Sequence, residues 1–301
     1  MENDTSISDL FKHVVSLDIL EGVNLTIEEA QDRLYALVCE LKDSCLLFEG
    51  FKSEQFVMHN IIRTVALTIA YTDHHVFTGI NDIEMEWKNK VKLKKCTKIS
   101  LSDGSIISQL WPEDLDCPDL EFFYVINSSV SLFEIPEDFF MVMPKIKVLN
   151  LRSKRGLTLP PSLDLLTNLQ TLCLDDSKIE DVVIIGKLRK LKVLSLQRSD
   201  VKELPGEICQ LTQLRLLDVR NCWRLKVIAP NVISKLPQLE ELYVKGCPIQ
   251  WKDEVLEELK GFSQLTRLEL DINDNNMLPK GFFCKELGRY DISIGDWPPQ
   301  Y

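Results

Sequence analysis

The stretch LKVLSLQRSDVKELPGEICQLTQLRLLDV, Leu191–Val219, holds two copies of one phrase: an apolar residue, two variable residues, an apolar, one variable, an apolar. The copies are LKVLSL from Leu191 and LRLLDV from Leu214. Toward the N-terminus the phrase recurs as LQTLCL from Leu169, IKVLNL from Ile146, LEFFYV from Leu120 and, degenerately, CTKISL from Cys96. Toward the C-terminus it returns as LEELYV from Leu239, LTRLEL from Leu265 and the degenerate LGRYDI from Leu287. Successive start points lie 24, 26, 23, 22, 23, 25, 26 and 22 residues apart. A period in this range marks supersecondary units that stack because none can bury its apolar face alone.

Within each phrase the final apolar residues sit two apart, as at Leu194 and Leu196 or Leu217 and Val219, which is the period of a strand with one buried face. Each unit therefore contributes one short strand, and stacking makes a parallel sheet. At about 4.8 Å per strand, nine units span on the order of 40 Å. Three residues past the last apolar stands a small or polar residue: Gly104, Ser128, Ser177, Ser199, Cys222, Cys247, Asn273 and Gly295. A short side chain there can bond backbone groups that the turn leaves unpaired. Lys154 breaks the pattern and predicts a local irregularity. The outward half of each unit also repeats, as FEIPEDFF, VKELPGEICQL and LKVIAPNVISKL, with Pro136, Pro205 and Pro230 after an apolar pair. A half-turn or extended chain follows, and a longer helix is expected around Asp253–Lys260. The fold class is α/β: a leucine-rich-repeat solenoid over residues 96–301, a horseshoe with its parallel sheet on the concave face. The chain stops at WPPQY without an obvious polar cap, and the expectation is that the natural protein continues or is truncated there.

The variable residues beside the strand leucines should face the concave side: Tyr124, Arg152, Asp175, Gln197, Asp218, Arg220, Tyr243, Lys245, Arg267, Glu269 and Asp271. Taken singly each is an ordinary solvated sheet position. As a set, mixed charge with two tyrosines reads as a protein-binding face, because aromatic and Arg residues are enriched at binding hot spots.

The chain has 301 residues, 45% of them hydrophobic and 27% charged, with a net charge of −11. Its isoelectric point near 5.0 means that no overall field draws it to nucleic acid or anionic membrane. No stretch approaches the ~18 apolar residues of a membrane span. The segment MENDTSISDL has neither a basic region nor an apolar run, so no signal peptide is expected. Nine cysteines without paired spacing fit reduced thiols better than a disulfide framework. Glycosylation-type triplets at Asn3, Asn24 and Asn127 arise often by chance and are outweighed. The expected location is cytoplasmic, which excludes an extracellular repeat receptor with its signal sequence and paired cap cysteines.

Ahead of the repeats, Thr26-Ile27-Glu28-Glu29 is a capping box, a hydroxyl followed three residues later by Glu. It opens an amphipathic helix with Ile27, Ala30, Leu34, Leu37, Val38 and Leu41 on one face. SCLLFEG and QFVMH, joined by a polar turn, read as a hairpin. Asn60 is expected to cap a second apolar helix, IIRTVALTIA. Helix, hairpin and helix suggest a winged-helix module. It lacks a basic recognition face, with Arg63 the only basic residue between Gln55 and Asp82 apart from the histidines, so DNA binding is not expected. The organisation is 1–75 for this module, 76–95 for a basic linker or cap, and 96–301 for the repeats.

The run EEAQDRLYALVCELKDSCLLFEG followed by FVMHNIIRTVALTIA resembles plant intracellular nucleotide-binding leucine-rich-repeat disease resistance proteins, and more narrowly their coiled-coil class. The likeness is to the winged-helix end of the nucleotide-binding (NB-ARC) module, which in that family leads into leucine-rich repeats, and it extends over nearly the whole chain. The family's Met-His-Asp motif falls on Met58, His59 and Asn60. By resemblance, His59 reaches the β-phosphate of ADP and helps hold the receptor off. Taken without the resemblance, a lone His at a helix start is structural. Asn60 departs from the motif and removes a negative charge that any carboxylate-dependent contact would need.

The phosphate loop G-x-x-x-x-G-K-[ST] does not occur in the sequence; the one Gly-Lys pair, Gly186-Lys187, lacks the upstream Gly and lies inside a repeat. The chain alone is therefore expected to hold no cofactor, although the family uses ADP and ATP, and it is expected not to be an enzyme. His74-His75 near Asp73 read as solvated, since a metal needs two more ligands. The basic run of lysines 88, 90, 92, 94, 95 and 98 with Trp87 reads as a solvated cap, with an acidic partner surface as the lesser reading. Cys222 and Cys247 occupy equivalent repeat positions and read as turn residues. The function implied is a fragment of an immune receptor. Its repeats recognise a pathogen effector or guarded host protein and restrain an ADP/ATP switch by contact with a nucleotide-binding module. The alternative is a non-switching scaffold or decoy that binds protein.

Overall fold

The computed structural model describes residues 5–17, 19–20, 25–52, 54–78, 90–101, 116–127, 135–154, 156–179, 181–259, 264–272 and 289–295. The sequence readings on Asn3, Asn24, Trp87, Lys88, Gly104, Ser128, Asn273 and the WPPQY end lie outside the described residues.

Strand β1 (Thr5–Ser6) runs into helix α1 (Ile7–Val14), where the Ser6 hydroxyl accepts from the Asp9 N–H at 2.9 Å. Helix α2 (Ile27–Asp43) starts at the capping box: Thr26 Oγ1 accepts from the Glu29 N–H at 3.2 Å, and the Glu29 carboxylate accepts from the Thr26 N–H at 2.7 Å. Ile27, Ala30, Leu34 and Val38 are buried, whereas Leu37 and Leu41, expected on the same face, are exposed. Leu37 stands at the edge of the stripe, and Leu41 lies a turn beyond Val38, the last residue of the helix to be covered. Strands β2 (Phe48–Glu49) and β3 (Gln55–Val57) form an antiparallel hairpin, with β1 on the other edge of β3. Helix α3 (Asn60–His74) corrects the expected cap. His59 is the N-cap, in extended conformation with its Nδ1 accepting from the Ile61 N–H at 3.2 Å, and Asn60 is the first helical residue. No residue of α3 is buried.

The next strands belong to the linker segment and the repeats. They are β4 (Val76–Thr78), β5 (Lys98–Leu101) after the short helix α4 (Lys90–Lys94), β6 (Phe122–Asn127), β7 (Val148–Ser153), β8 (Thr171–Cys173) and β9 (Val193–Ser195). Then come β10 (Glu203–Leu204), β11 (Leu216–Asp218), β12 (Val227–Ile228), β13 (Glu241–Tyr243), helix α5 (Asp253–Glu258), β14 (Arg267–Ile272) and β15 (Arg289–Ile294). Ten of these strands join one parallel sheet in the order β4-β5-β6-β7-β8-β9-β11-β13-β14-β15, and β10 pairs with β12 in a second, two-stranded sheet. The large sheet begins before the first copy of the phrase. Val76 is in register with Lys98, so the segment read as a linker opens with a strand. That strand is three residues long and carries no full phrase to announce it.

The register explains the core. Ile99, Phe123, Leu149, Leu172, Leu194, Leu217, Leu242 and Leu268 are successive cross-strand partners and all are buried. Each contributes on the order of 1.5–3 kcal/mol by removal from water. Behind the sheet, 3-10 helices at Phe139–Val142, Pro161–Leu165, Val183–Lys187 and Gly206–Gln210 close successive units. After β8, β9, β11 and β13 the chain turns through a left-handed residue, at Asp176, Arg198, Asn221 and Gly246, with φ of 54°, 56°, 59° and 79°. The N–H groups of the first three donate to the carbonyls of Gln197, Arg220 and Lys245, each at 2.8 Å. The next residue is the small polar one. Ser177 Oγ donates to the Leu151 carbonyl, Cys222 Sγ to Leu196 and Cys247 Sγ to Val219, at 3.2, 2.9 and 3.0 Å. At the irregular unit Lys154 is exposed, and the buried Ser153 hydroxyl donates to the Gly156 carbonyl instead.

Candidate functional site

Residues that alternate with the core leucines face the concave side. One register row runs Val148, Thr171, Val193, Leu216, Glu241, Arg267; the next runs Tyr124, Asn150, Cys173, Ser195, Asp218, Tyr243, Glu269. This face is not open, as the sequence alone suggests. Helices α1 and α2 lie across it, and Phe11, Leu20, Ile27, Ala30, Leu34 and Val38 form one apolar cluster with Val193, Leu216 and Tyr243 of the sheet.

The centre of the contact is Lys12, which is 3% exposed. Its Nζ donates to Ser195 Oγ at 2.7 Å and to Asp175 Oδ2 at 3.2 Å, and lies 3.1 Å from Asp218 Oδ2. The acceptors are themselves fixed. Asp175 Oδ1 accepts from the Ser195 hydroxyl at 2.6 Å and from the Gln197 N–H at 2.8 Å. Asp218, fully buried, accepts from Arg220 Nε at 3.0 Å and Nη2 at 2.7 Å. Burial works against the Lys12 ammonium, but Asp218 and then Asp175 outweigh it and raise its pKa well above the ordinary lysine value. Burial likewise works against the Asp218 carboxylate, yet Lys12 and Arg220 hold it below its usual range. A pair of this kind is costly to break from one side, because removing one partner leaves a buried uncompensated charge worth about 3–5 kcal/mol.

Around that pair the two halves interlock. Ser16 and Thr171 share a hydrogen bond at 2.8 Å. His13 Nε2 lies 2.6 Å from Asn150 Nδ2, and its ring meets Phe122 and Tyr124 edge-on at 5.9 and 5.6 Å. The amide donates to a neutral imidazole, and burial, opposed by Asp9 and assisted by Lys12 and Arg152, pushes His13 from an ordinary 6.5 down to about 4. From α2, the Ile27 N–H donates to Glu240 at 2.6 Å and Gln31 Nε2 to Glu241 at 3.0 Å. Arg215 Nη2 donates to the Leu25 carbonyl at 2.6 Å while its Nε bonds Glu240. Burial raises Glu241 above its usual range even though the Tyr243 hydroxyl donates to it at 2.6 Å.

Of the residues expected on an open binding face, Asp175, Asp218 and Tyr243 are buried beneath α1 and α2 or turned into the pair, and Glu269 and Asp271 are also buried. Tyr124 is half-buried against His13. Arg220 and Arg267 stack on the Tyr243 ring at 4.4 and 5.3 Å and share Glu269, at 3.4 and 2.9 Å. Asp271 accepts from the Gly246 N–H at 2.7 Å. Arg152 and Arg198 bridge Asp176, with Gln197 bonded to Arg198. Lys245 pairs with Asp291 at 2.6 Å. A pocket of about 250 Å³ remains beside α1, lined among others by Gln31, Tyr35, Arg220, Arg267 and Arg289.

Sequence reasoning missed Lys12, His13, Ser16, Gln31, Arg215, Glu240 and Glu241. Two signals were present. Ser6 three residues before Asp9, followed by Leu10, Phe11, Val14 and Val15, is a helix start with an apolar face. Val193 and Leu216 are apolar on strand positions that should face water, and so need a cover.

Met58 packs at the edge of the apolar cluster, while His59 and Asn60 are exposed. With Nδ1 committed to the cap of α3, His59 has only Nε2 left to meet an anion. A single exposed imidazole is a poor hold for a diphosphate, and these three residues do not by themselves fit ADP.

The parallel sheet, the left-handed strand ends and the 3-10 closures make a leucine-rich-repeat fold, and a family model described as a leucine-rich repeat region matches residues 183–290. Its homologues are plant disease resistance proteins. The chain is 26% identical over 294 residues to Disease resistance protein At4g27190 of Arabidopsis thaliana, covering 89% of this chain and 29% of that protein. It is 32% identical over 226 residues to Disease resistance protein RFL1 of the same plant, covering 71% and 24%. It thus spans less than a third of the length of these relatives. Among solved structures it is similar to an internalin (inlF) from Listeria monocytogenes, 18% identical with a TM-score of 0.46, over 66% of this chain and 62% of that one. Among the described residues no helix is long and apolar enough to cross a membrane.

Proposed function

We propose that this chain is the recognition part of a disease-resistance-type immune receptor of the coiled-coil class, acting in the cytoplasm and without enzymatic activity. Its repeats take a pathogen effector or a guarded host protein, and its N-terminal segment is the winged-helix end of a nucleotide-binding module whose ADP/ATP switch the repeats restrain. The observation that carries this reading is the buried Lys12 between Asp175 and Asp218, which ties the N-terminal segment to the face that would meet a ligand. Where a ligand takes the covered part of this surface, the segment beside it must let go, which is how a sensor restrains a switch. Reduced thiols fit the location: burial raises the pKa of Cys96, Cys117 and Cys173 and keeps them protonated and unreactive.

The genomic sequence upstream of Met1 tests this reading. An in-frame G-x-x-x-x-G-K-[ST] ahead of the winged-helix segment is the expected result, and its absence from the gene would contradict a switch in cis. The second reading, a non-switching scaffold or decoy, is favoured for this chain alone by the exposure of His59. Calorimetry with ADP tests this second reading. The scaffold predicts no binding by the purified chain, and micromolar binding lost on His59→Ala would overturn it.

A further inference from the structure

The trough beneath α1 has the chemistry of a site that a second molecule can use, an inference that rests on reading the concave face as a recognition surface. We propose that Asp175, Ser195 and Asp218 form a lysine socket that accepts, in trans, a lysine carried on an amphipathic helix of a partner protein, which displaces α1 as it binds.

Three oxygen atoms surround the Lys12 ammonium within 3.2 Å, two of them accepting its hydrogen bonds and the third, Asp218 Oδ2, paired with it by charge. That cup suits a compact ammonium; a planar guanidinium spreads five donors in a fork that three converging oxygens do not match. With a helix seated over them Asp218 is fully buried and Asp175 nearly so, so whichever helix covers these carboxylates must bring a cation. Arg220 already engages Asp218 but makes no bond to Asp175, so the socket still calls for one more positive charge. Beside the cup, Val193 and Leu216 seat apolar side chains from the covering helix, Phe11 among them. The pattern required of a replacement is therefore a lysine flanked by a bulky apolar residue on one helical face, which is the pattern Phe11-Lys12 presents. The net charge of −11 favours the approach of a partner helix that carries net positive charge besides that lysine. Tethering gives α1 a high effective concentration, so an outside helix gains access in proportion to how far that tethered competitor is weakened.

The test uses the full chain and two labelled peptides, TSISDLFKHVVSL (residues 5–17) and the same peptide carrying Lys12→Met. Binding is read by fluorescence anisotropy, and the state of α1 by hydrogen exchange at residues 7–14. The chain bearing Lys12→Met should bind the lysine peptide at least ~10-fold tighter than the wild-type chain does, because the tethered competitor is weakened. The methionine peptide should bind that chain at least ~10-fold more weakly than the lysine peptide. A chain carrying Lys12→Met and Asp218→Asn together should lose the preference. Equal affinity for the two peptides, or no binding by the Lys12→Met chain, would overturn the socket. Should that variant fail to fold, excess lysine peptide added to the wild-type chain must speed exchange of α1 while the methionine peptide does not; no difference overturns the proposal. A concentration-dependent dimer of the wild-type chain that Lys12→Met abolishes, seen by sedimentation, would make a second copy the occupant and also overturn it. The wider reading fails separately: α1 that exchanges freely in the untreated wild-type chain removes the covered recognition face itself, whereas a protected α1 without lysine preference removes only the socket.

Discussion

Lys12 is the side chain on which the two halves of the molecule depend, and its neighbours set how that dependence shows. Asp218→Asn keeps the shape of the acceptor but removes a charge shared by Lys12 and Arg220. Equilibrium unfolding should show a loss of about 3 kcal/mol, the order expected when one side of a buried pair is removed. His13 gives a second handle. Its pKa falls from an ordinary 6.5 to about 4 in the folded chain, so the unfolded or undocked form binds more protons between those values. The His13 contribution to the contact is therefore complete above pH 6.5 and declines as pH falls toward 4, with a limiting slope of about 1.4 kcal/mol per pH unit, while Glu241, held above its usual range, contributes with the opposite sign. Asp218, held low, adds loss of the same sign further down, as pH falls through the carboxylate range. The protection factor of the α1 amides, exchange corrected for its intrinsic pH dependence, should fall as pH is lowered from 7.5 to 4, and His13→Gln should flatten the upper part of that fall. Gly246 offers a prediction on the repeats themselves. It has φ +79°, and a Cβ there would overlap the Asn221 side chain. Gly246→Ala should cost about 1–2 kcal/mol from backbone strain before the overlap is counted, measured by thermal unfolding.

Among the elements, the strands were the most legible, since an apolar period of two inside a longer fixed period leaves little choice of structure. The phrase places Leu149, Leu172, Leu194 and Leu217 in one ladder, and the register does the same. Legibility fell where an element is short or is specified by a distant surface. β4 carries only Val76–Thr78 and no phrase, and α1 is eight residues whose apolar side has meaning only once a covered sheet is in view. The cap of α3 was displaced by one residue because Asn at a helix start is a strong prior, while here the His59 imidazole performs the same bond. Phe11 tests α1 as an element. It is 2% exposed and lies in the cluster with Val193 and Leu216. Phe11→Ala should cost about 3–5 kcal/mol of docking, seen as protease sensitivity and fast exchange confined to α1, with the thermal transition of the repeats little changed. Helix α3 presents the opposite condition: Ile61 is 67% exposed, and Val65 and Ile69 are exposed as well.

At the scale of the whole molecule, the residues expected on the concave side do alternate with the core leucines, but their accessibility was not legible. Nothing in the phrase LRLLDV says that Asp218 ends up beneath a helix more than two hundred residues away. That contact is long-range, and one sequence without its fold does not encode it in any local period. On the proposed reading of this face as a recognition surface, a ligand and the N-terminal segment compete for the same carboxylates. Lys12 and Asp218 must then be energetically coupled across the two halves. A double-mutant cycle measures this: the free energy of α1 opening, from hydrogen exchange, in the wild-type chain, Lys12→Met, Asp218→Asn and the combined variant. A coupling of about 1.5 kcal/mol or more is predicted, since each single change strands a buried charge that the double change partly relieves. Additive effects, with coupling within about 0.3 kcal/mol of zero, would contradict it.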